Sequence, residues 1–172
     1  MGAHLPAGTV PVQVLHDGER RLGSAVHSLT VLRAAYFMDN WASAVGTARS
    51  QGILPSFLSP TRKIPMIATR DVGHMAAECL LDHCRGTRIL ELSGPSDYSP
   101  TDVAEAMGRQ LRRKISVRYL SLVAVVPALT SIGCSDNVAG LFKDLYAGIE
   151  SGYIAYEGNG AAHPRGIVTL SE

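Results

Sequence analysis

Apolar residues change their spacing along this chain, and each change marks an element. Residues 29 to 41 read as a buried strand that breaks directly into a helix. The strand covers residues 28 to 35, where Leu29, Val31 and Leu32 suit a buried position and Arg33 needs a polar exit near the end. Residues 38 to 51 then place Met38, Trp41, Ala42, Val45 and Ala48 on one face at helical spacing, and Gly52 is a natural C-terminal stop. A strand-to-helix junction of this kind is where open α/β sheets place their ligand crevice.

Upstream, residues 1 to 10 are rich in Gly, Pro and Ala and read as loop. Residues 12 to 23 carry a helical pattern diluted by Gly18. Downstream, residues 53 to 58 contain Pro55 and residues 64 to 68 contain Pro65, so both read as extended pieces at a sheet edge. Thr69 opens a helix running to about Asp82, with Val72, Met75, Ala76, Cys79 and Leu80 as its apolar face. Residues 88 to 93 alternate and read as a strand ended by Gly94-Pro95. Ser99-Pro100-Thr101-Asp102 is a helix start: Ser99 caps, Pro100 suits the first helical position, and Asp102 follows the cap by three. Val103, Met107 and Leu111 line that helix. A strand over residues 115 to 120 and helices over 122 to 132 and 135 to 150 follow, the last with Val138, Leu141, Phe142, Leu145 and Ile149 on one side. Residues 152 to 172 are Gly-rich and irregular. Strands alternating with helices predict an α/β architecture in which residues 29 to 33 form a central strand and residues 88 to 92 lie in the same or an adjoining sheet.

Composition narrows the class. The 172 residues suffice for one domain with a real core, and 46% apolar with 18% charged residues is a globular balance. A net charge of +1 gives no electrostatic basis for a nucleic-acid or membrane partner. Cys79, Cys84 and Cys134 are few and odd in number, which fits free thiols in a reducing compartment. The longest apolar run, residues 122 to 129, contains Pro127 and is far shorter than a membrane span. The expectation is a soluble cytoplasmic protein.

Several short stretches occur in an order that resembles the later half of NmrA-like proteins, atypical relatives of the short-chain dehydrogenases. They are Gly2-Ala3-His4-Leu5-Pro6; Leu29 to Arg33 with Phe37, Met38 and Asn40; Ile64-Pro65-Met66-Ile67-Ala68-Thr69-Arg70-Asp71-Val72-Gly73; and Glu91-Leu92-Ser93-Gly94-Pro95 with Ser99. The resemblance implies a partial Rossmann-type domain with a small helical C-terminal lobe. The domain portion spans residues 1 to 172, with about 1 to 95 holding the remaining sheet and helices and about 96 to 172 the substrate-side lobe. It implies NAD(P) as cofactor and a small flat carbonyl compound, quinone-like, as substrate. The family's glycine-rich phosphate loop and N-terminal βαβ units are expected to be missing. The nearest match, Gly158-Asn159-Gly160-Ala161-Ala162-His163, has a His where the third small residue belongs and reads as a plain turn. The chain therefore reads as a truncated portion, and a missing N-terminal segment or an oligomer partner is expected to complete it.

Candidate chemistry follows from the same resemblance. The wider superfamily uses a Tyr with Lys four positions later, but no Tyr here has such a Lys. His16 stands at the matching helix, where an imidazole can relay a proton or simply face solvent. Ala34 and Ala35 border the implied nicotinamide site. Tyr36, Phe37 and Asn40 form the implied substrate pocket, with core packing the alternative for the neighbouring Met38 and Trp41. His74, Cys79, His83 and Cys84 match no common metal-ligand spacing, so no metal is assigned to them. Arg109, Arg112, Arg113 and Lys114 suit a helix C-terminus. Ser24, Ser28 and Ser43 lack hydrolase spacing. The expected activity is NAD(P)-dependent reduction. The alternatives are a non-catalytic redox-sensing or regulatory protein and a non-functional truncated product.

Overall fold

The computed structural model describes residues 1–7, 10–82, 84–158 and 161–172. Helix α1 (Val10–Ala25) is longer than its diluted pattern suggests. It buries Val12 and leaves Val14, Leu15 and Leu22 exposed. Strand β1 (Ser28–Ala34) follows, then β2 (Tyr36–Phe37), a tight 3-10 turn over Met38–Ala44, and α2 (Val45–Gln51). One continuous helix from Met38 is thus corrected to two pieces. Met38, Trp41 and Ala44 recur every three residues, which is the 3-10 period, and Ala44 is buried where a 3.6-residue period would bury Ala42. Gly52 closes α2 in the left-handed region at φ 70°.

Next come β3 (Ile53–Ser56), β4 (Ile64–Ile67), α3 (Thr69–Leu81), β5 (Gly86–Leu92), β6 (Asp97–Tyr98) and α4 (Pro100–Leu111). The Ser99 cap is as read: its hydroxyl accepts from the Asp102 N–H and the Asp102 carboxylate accepts from the Ser99 N–H, a full capping box with Pro100 in the first turn. Strand β7 (Ser116–Tyr119), a 3-10 turn over Leu122–Ala124, α5 (Val125–Thr130) and α6 (Asp136–Ser151) complete the elements. On α3, Leu80 is exposed and does not join the apolar face.

β1 and β5 pair in parallel from Ser28↔Gly86 to Ala34↔Leu92. The pairing of residues 29 to 33 with residues 88 to 92 is as predicted, but the central position is not. The tail bridges the far edge of β5 at Ala162 and Arg165, so β5 is flanked on both sides. β1 pairs with β5 alone among the described residues. A second sheet has the order β2-β4-β6, with β4 in the middle despite Pro65, and a third pairs β3 with β7. Pro65 is tolerated because the β4 pairings are only two residues long on each side. The main core gathers Trp41, Leu54, Leu58, Met66, Val103 and Ile149, and a smaller one gathers Ala35, Ile67 and Leu92. No helix among the described residues is long and apolar enough to cross a membrane.

Candidate functional site

The chain changes sheets at the carboxyl end of β1, and this break builds the site. Ala34 accepts a hydrogen bond from the Met1 amine at 3.0 Å, and the Ala35 N–H donates to the Leu92 carbonyl at 3.0 Å. Tyr36 then leaves β5 and pairs with Met66 of β4. A chain that steps from one sheet to the next opens a crevice beyond the strand end. Ala35 is buried against Ile67 and Leu92, with Ala34 packed beside them.

Tyr36 points its hydroxyl toward the Tyr146 hydroxyl and the Asn40 amide. Its ring lies 6.0 Å from that of Trp41, and the Tyr146 ring lies 5.3 Å from that of Phe57. Burial pushes both phenols above the ordinary tyrosine range, with Tyr146 adding to the shift of Tyr36. Tyr36 therefore keeps its proton at neutral pH and can donate a hydrogen bond. Phe37 and Asn40 are exposed at the mouth. Beside them the carboxylate of Asp39 accepts from the N–H and hydroxyl of Thr69 at 2.9 and 2.8 Å, which caps α3 and lowers the Asp39 pKa. An apolar cavity of about 360 Å³ shares Met38 and Trp41 with this corner and continues to Met107, Leu111 and Leu170.

Ala34, Ala35, Tyr36, Phe37 and Asn40 are thus consecutive or adjacent in space, as the sequence placed them. His16 stands elsewhere. Its Nδ1 lies 2.9 Å from the Ala3 carbonyl, which can only accept, so that nitrogen carries the proton. It lines a cavity of about 330 Å³ with His4, Glu19, Arg33 and Glu157, a lining that includes none of Ala35, Tyr36, Phe37 and Asn40. Tyr146 is the residue that sequence reasoning missed. It lies four positions after Phe142 and three before Ile149, on the flank of the apolar stripe of α6, and that spacing was its only signal.

The same elements decide what part of a dinucleotide these residues can hold. The pyrophosphate end needs free N–H groups at a helix start. Here the starts of α3, α4 and α6 are already capped by Asp39, Ser99 with Asp102, and Ser135. Two of those caps carry carboxylates that repel phosphate. Of the residues set aside earlier, His83 and the Asn159–Gly160 pair lie outside the described residues, and Arg113 hydrogen-bonds the Arg49 carbonyl.

Comparison with known proteins fits this geometry. The chain is 23% identical over 150 residues to an NAD(P)H azoreductase of Xenophilus azovorans, across 84% of this chain and 51% of that protein. It is 23% identical over 136 residues to quinone oxidoreductase 2 of Escherichia coli, across 79% and 47%. Among solved structures, an E. coli NADPH-dependent quinone oxidoreductase complexed with NADPH superposes with a TM-score of 0.76 at 21% identity, covering 98% of this chain and 60% of that one. The fold is Rossmann-like. A nucleoside-diphosphate-sugar epimerase from Staphylococcus aureus gives a TM-score of 0.73 at 17% identity, covering 93% and 56%. The chain spans about half the length of the curated relatives it matches. No family model matches it.

Proposed function

We propose that this chain forms the substrate-side part of an NAD(P)H-dependent oxidoreductase of the NmrA-like, atypical short-chain-dehydrogenase type. Its substrate is a quinone-like or other flat carbonyl compound. The observation that carries the reading is the strand-end group itself: two alanines, then the protonated Tyr36 phenol beside Asn40 and Tyr146. The names of its relatives support it, since azo and quinone groups are both flat acceptors that take two electrons and protons at a heteroatom. NAD(P)H, when bound, supplies the hydride.

The protein's own residues then do three things. Phe37 offers its exposed apolar face to a flat ring. The Asn40 amide and the Tyr36 hydroxyl donate hydrogen bonds to the acceptor oxygen as negative charge grows on it. Tyr146 sits behind Tyr36 and holds the direction of that donation. We assign proton donation to Tyr36 because the cavity that holds His16 contains no other residue of this group. The pyrophosphate donors come from a segment or partner outside these residues, and the complete protein works in the cytoplasm. A redox-sensing protein without turnover is the second reading, favoured by the absence of any Tyr–Lys pair at four-residue spacing.

Two measurements test this. The chain alone should bind NADPH no more tightly than about millimolar, or roughly 4 kcal/mol, because side-chain caps already occupy the starts of α3, α4 and α6. Joined behind the nucleotide-binding part of the E. coli quinone oxidoreductase, it should oxidise NADPH when a quinone is added. Tyr36→Phe should lower kcat by about a hundredfold, the usual scale of a general-acid contribution, and leave KM nearly unchanged. Tight nucleotide binding without turnover would support the sensor. Neither binding nor turnover in the joined protein would overturn both readings.

A further inference from the structure

A second group of side chains gathers on the far side of β1, away from Tyr36. Glu91, in the last turn of β5, is fully buried. Buried carboxylates need partners, and this one has backbone N–H groups from Glu157 at 2.8 Å and Gly158 at 3.3 Å. Arg33 NH1 lies 3.5 Å from it and also donates to Glu157 at 2.7 Å. The same guanidinium holds Glu19 through both Nε at 3.0 Å and NH2 at 2.7 Å. Three carboxylates thus surround one guanidinium, which leaves two uncompensated negative charges.

One imidazole, that of His4, belongs to this group, and a second stands at its edge. His163 Nδ1 stands 3.5 Å from Glu91 Oε2, carried there by the tail segment that bridges β5. His4 Nδ1 is buried and has no hydrogen-bond partner. One ligand atom each from His4, Glu91 and Glu157 lies within 4.8 Å of the other two. The buried Nδ1 of His4 lacks a partner, and a nitrogen of the same ring lies within 4.8 Å of a carboxylate oxygen of Glu91 and of Glu157. A proton would serve one histidine; a divalent ion would serve all the donors and cancel the double negative charge.

We propose that His4, Glu91 and Glu157 bind a divalent transition-metal ion of the zinc class, with water as the fourth ligand. Nitrogen and carboxylate donors are the ligands such an ion takes, at about 2.0–2.2 Å. Arg33 keeps the other carboxylate oxygens, as a supporting hydrogen-bond partner does at metal sites. The bound ion ties His4 to Glu91 and Glu157, so its role is to lock the segment holding His4 and the segment holding Glu157 against the end of β5.

The test is a zinc titration of the chelator-treated full chain by calorimetry, with cobalt as a visible-absorbance probe. One site per chain is expected, together with a rise in melting temperature and a cobalt d–d band. His4→Ala and Glu157→Gln should each weaken binding by about tenfold or more, while His74→Ala, an exposed histidine on α3, should not. His4→Gln serves if the alanine variant misfolds. Absence of one-site binding in the wild type overturns the proposal without recourse to variants. Zinc affinity unchanged in His4→Ala and Glu157→Gln overturns it as well, placing the ion on other residues such as the cysteines.

Discussion

Replacing Arg33 with Met removes a cation whose side chain is only 5% exposed and leaves Glu91, which is 0% exposed, with an uncompensated charge. Removing one partner of a buried ion pair costs about 3–5 kcal/mol, because the remaining charge stays desolvated. The share from Glu157 is discounted, since its side chain is 38% exposed and water screens it. Glu19, at 20% exposure and held by two guanidinium hydrogen bonds, loses more. A loss of about 3 kcal/mol is therefore expected, which lowers the melting temperature by roughly 6–12 °C in a domain of this size. Urea unfolding in chelator-treated buffer measures it. The double variant Arg33→Met, Glu91→Leu should recover part of the loss, since the unpaired buried charge is removed while Glu19, Glu157 and two backbone N–H groups still lack their partners. A single-variant loss below about 1 kcal/mol, or a double variant no better than the single, would refute the reasoning. As a control, Arg20→Ala removes a pair between exposed groups 3.8 Å apart and should change stability by less than about 0.5 kcal/mol.

Three further outcomes are expected. Ser99→Ala should cost about 1 kcal/mol by unfolding assay; because hydrogen bonds to Ser99 lower the Asp102 pKa, the wild-type advantage is present above about pH 4 and fades as pH falls through the lowered value. Gly94→Ala would place a methyl 2.6 Å from the Met66 carbonyl on β4, and should cost about 1–3 kcal/mol; an unchanged melting temperature would mean that this close approach is absent. The phenols of Tyr36, Tyr146 and Tyr156 are held above the ordinary range by burial, so the stability they contribute is complete below about pH 10 and is lost as pH rises toward their folded values. Ultraviolet titration should show these three ionising together with unfolding, and reversible ionisation of all six tyrosines in the folded chain would contradict this.

The strand ending at Arg33 and the capped start of α4 were readable because each rests on local chemistry. The apolar run pairs residue for residue with β5, and Ser99 and Asp102 satisfy each other within four residues. The 3-10 turn was not readable in advance, because Met38, Trp41 and Ala42 satisfy a helical stripe until Ala44 is seen to be buried in place of Ala42. The central place of β4 was hidden by Pro65, whose restriction matters less in a two-residue pairing. The tail looked irregular because its order comes from distant partners: Asp71 accepts from the Val168 N–H at 3.0 Å and Glu91 from the Glu157 N–H. Candidate pocket residues close in sequence were found together, whereas Tyr146 and two partners of Arg33, Glu91 and Glu157, arrive from more than fifty residues away.

The central claim is that the strand end from Ala34 to Asn40, backed by Tyr146, receives a flat electron acceptor. Amide and side-chain chemical shifts of the isotope-labelled chain, followed while a soluble quinone is added to millimolar concentration, test it most directly. The largest changes should fall on Ala35, Tyr36, Phe37, Asn40 and Tyr146, and Tyr36→Phe should reduce them. Changes confined to the α4–tail cavity, or none at millimolar quinone, would contradict the account.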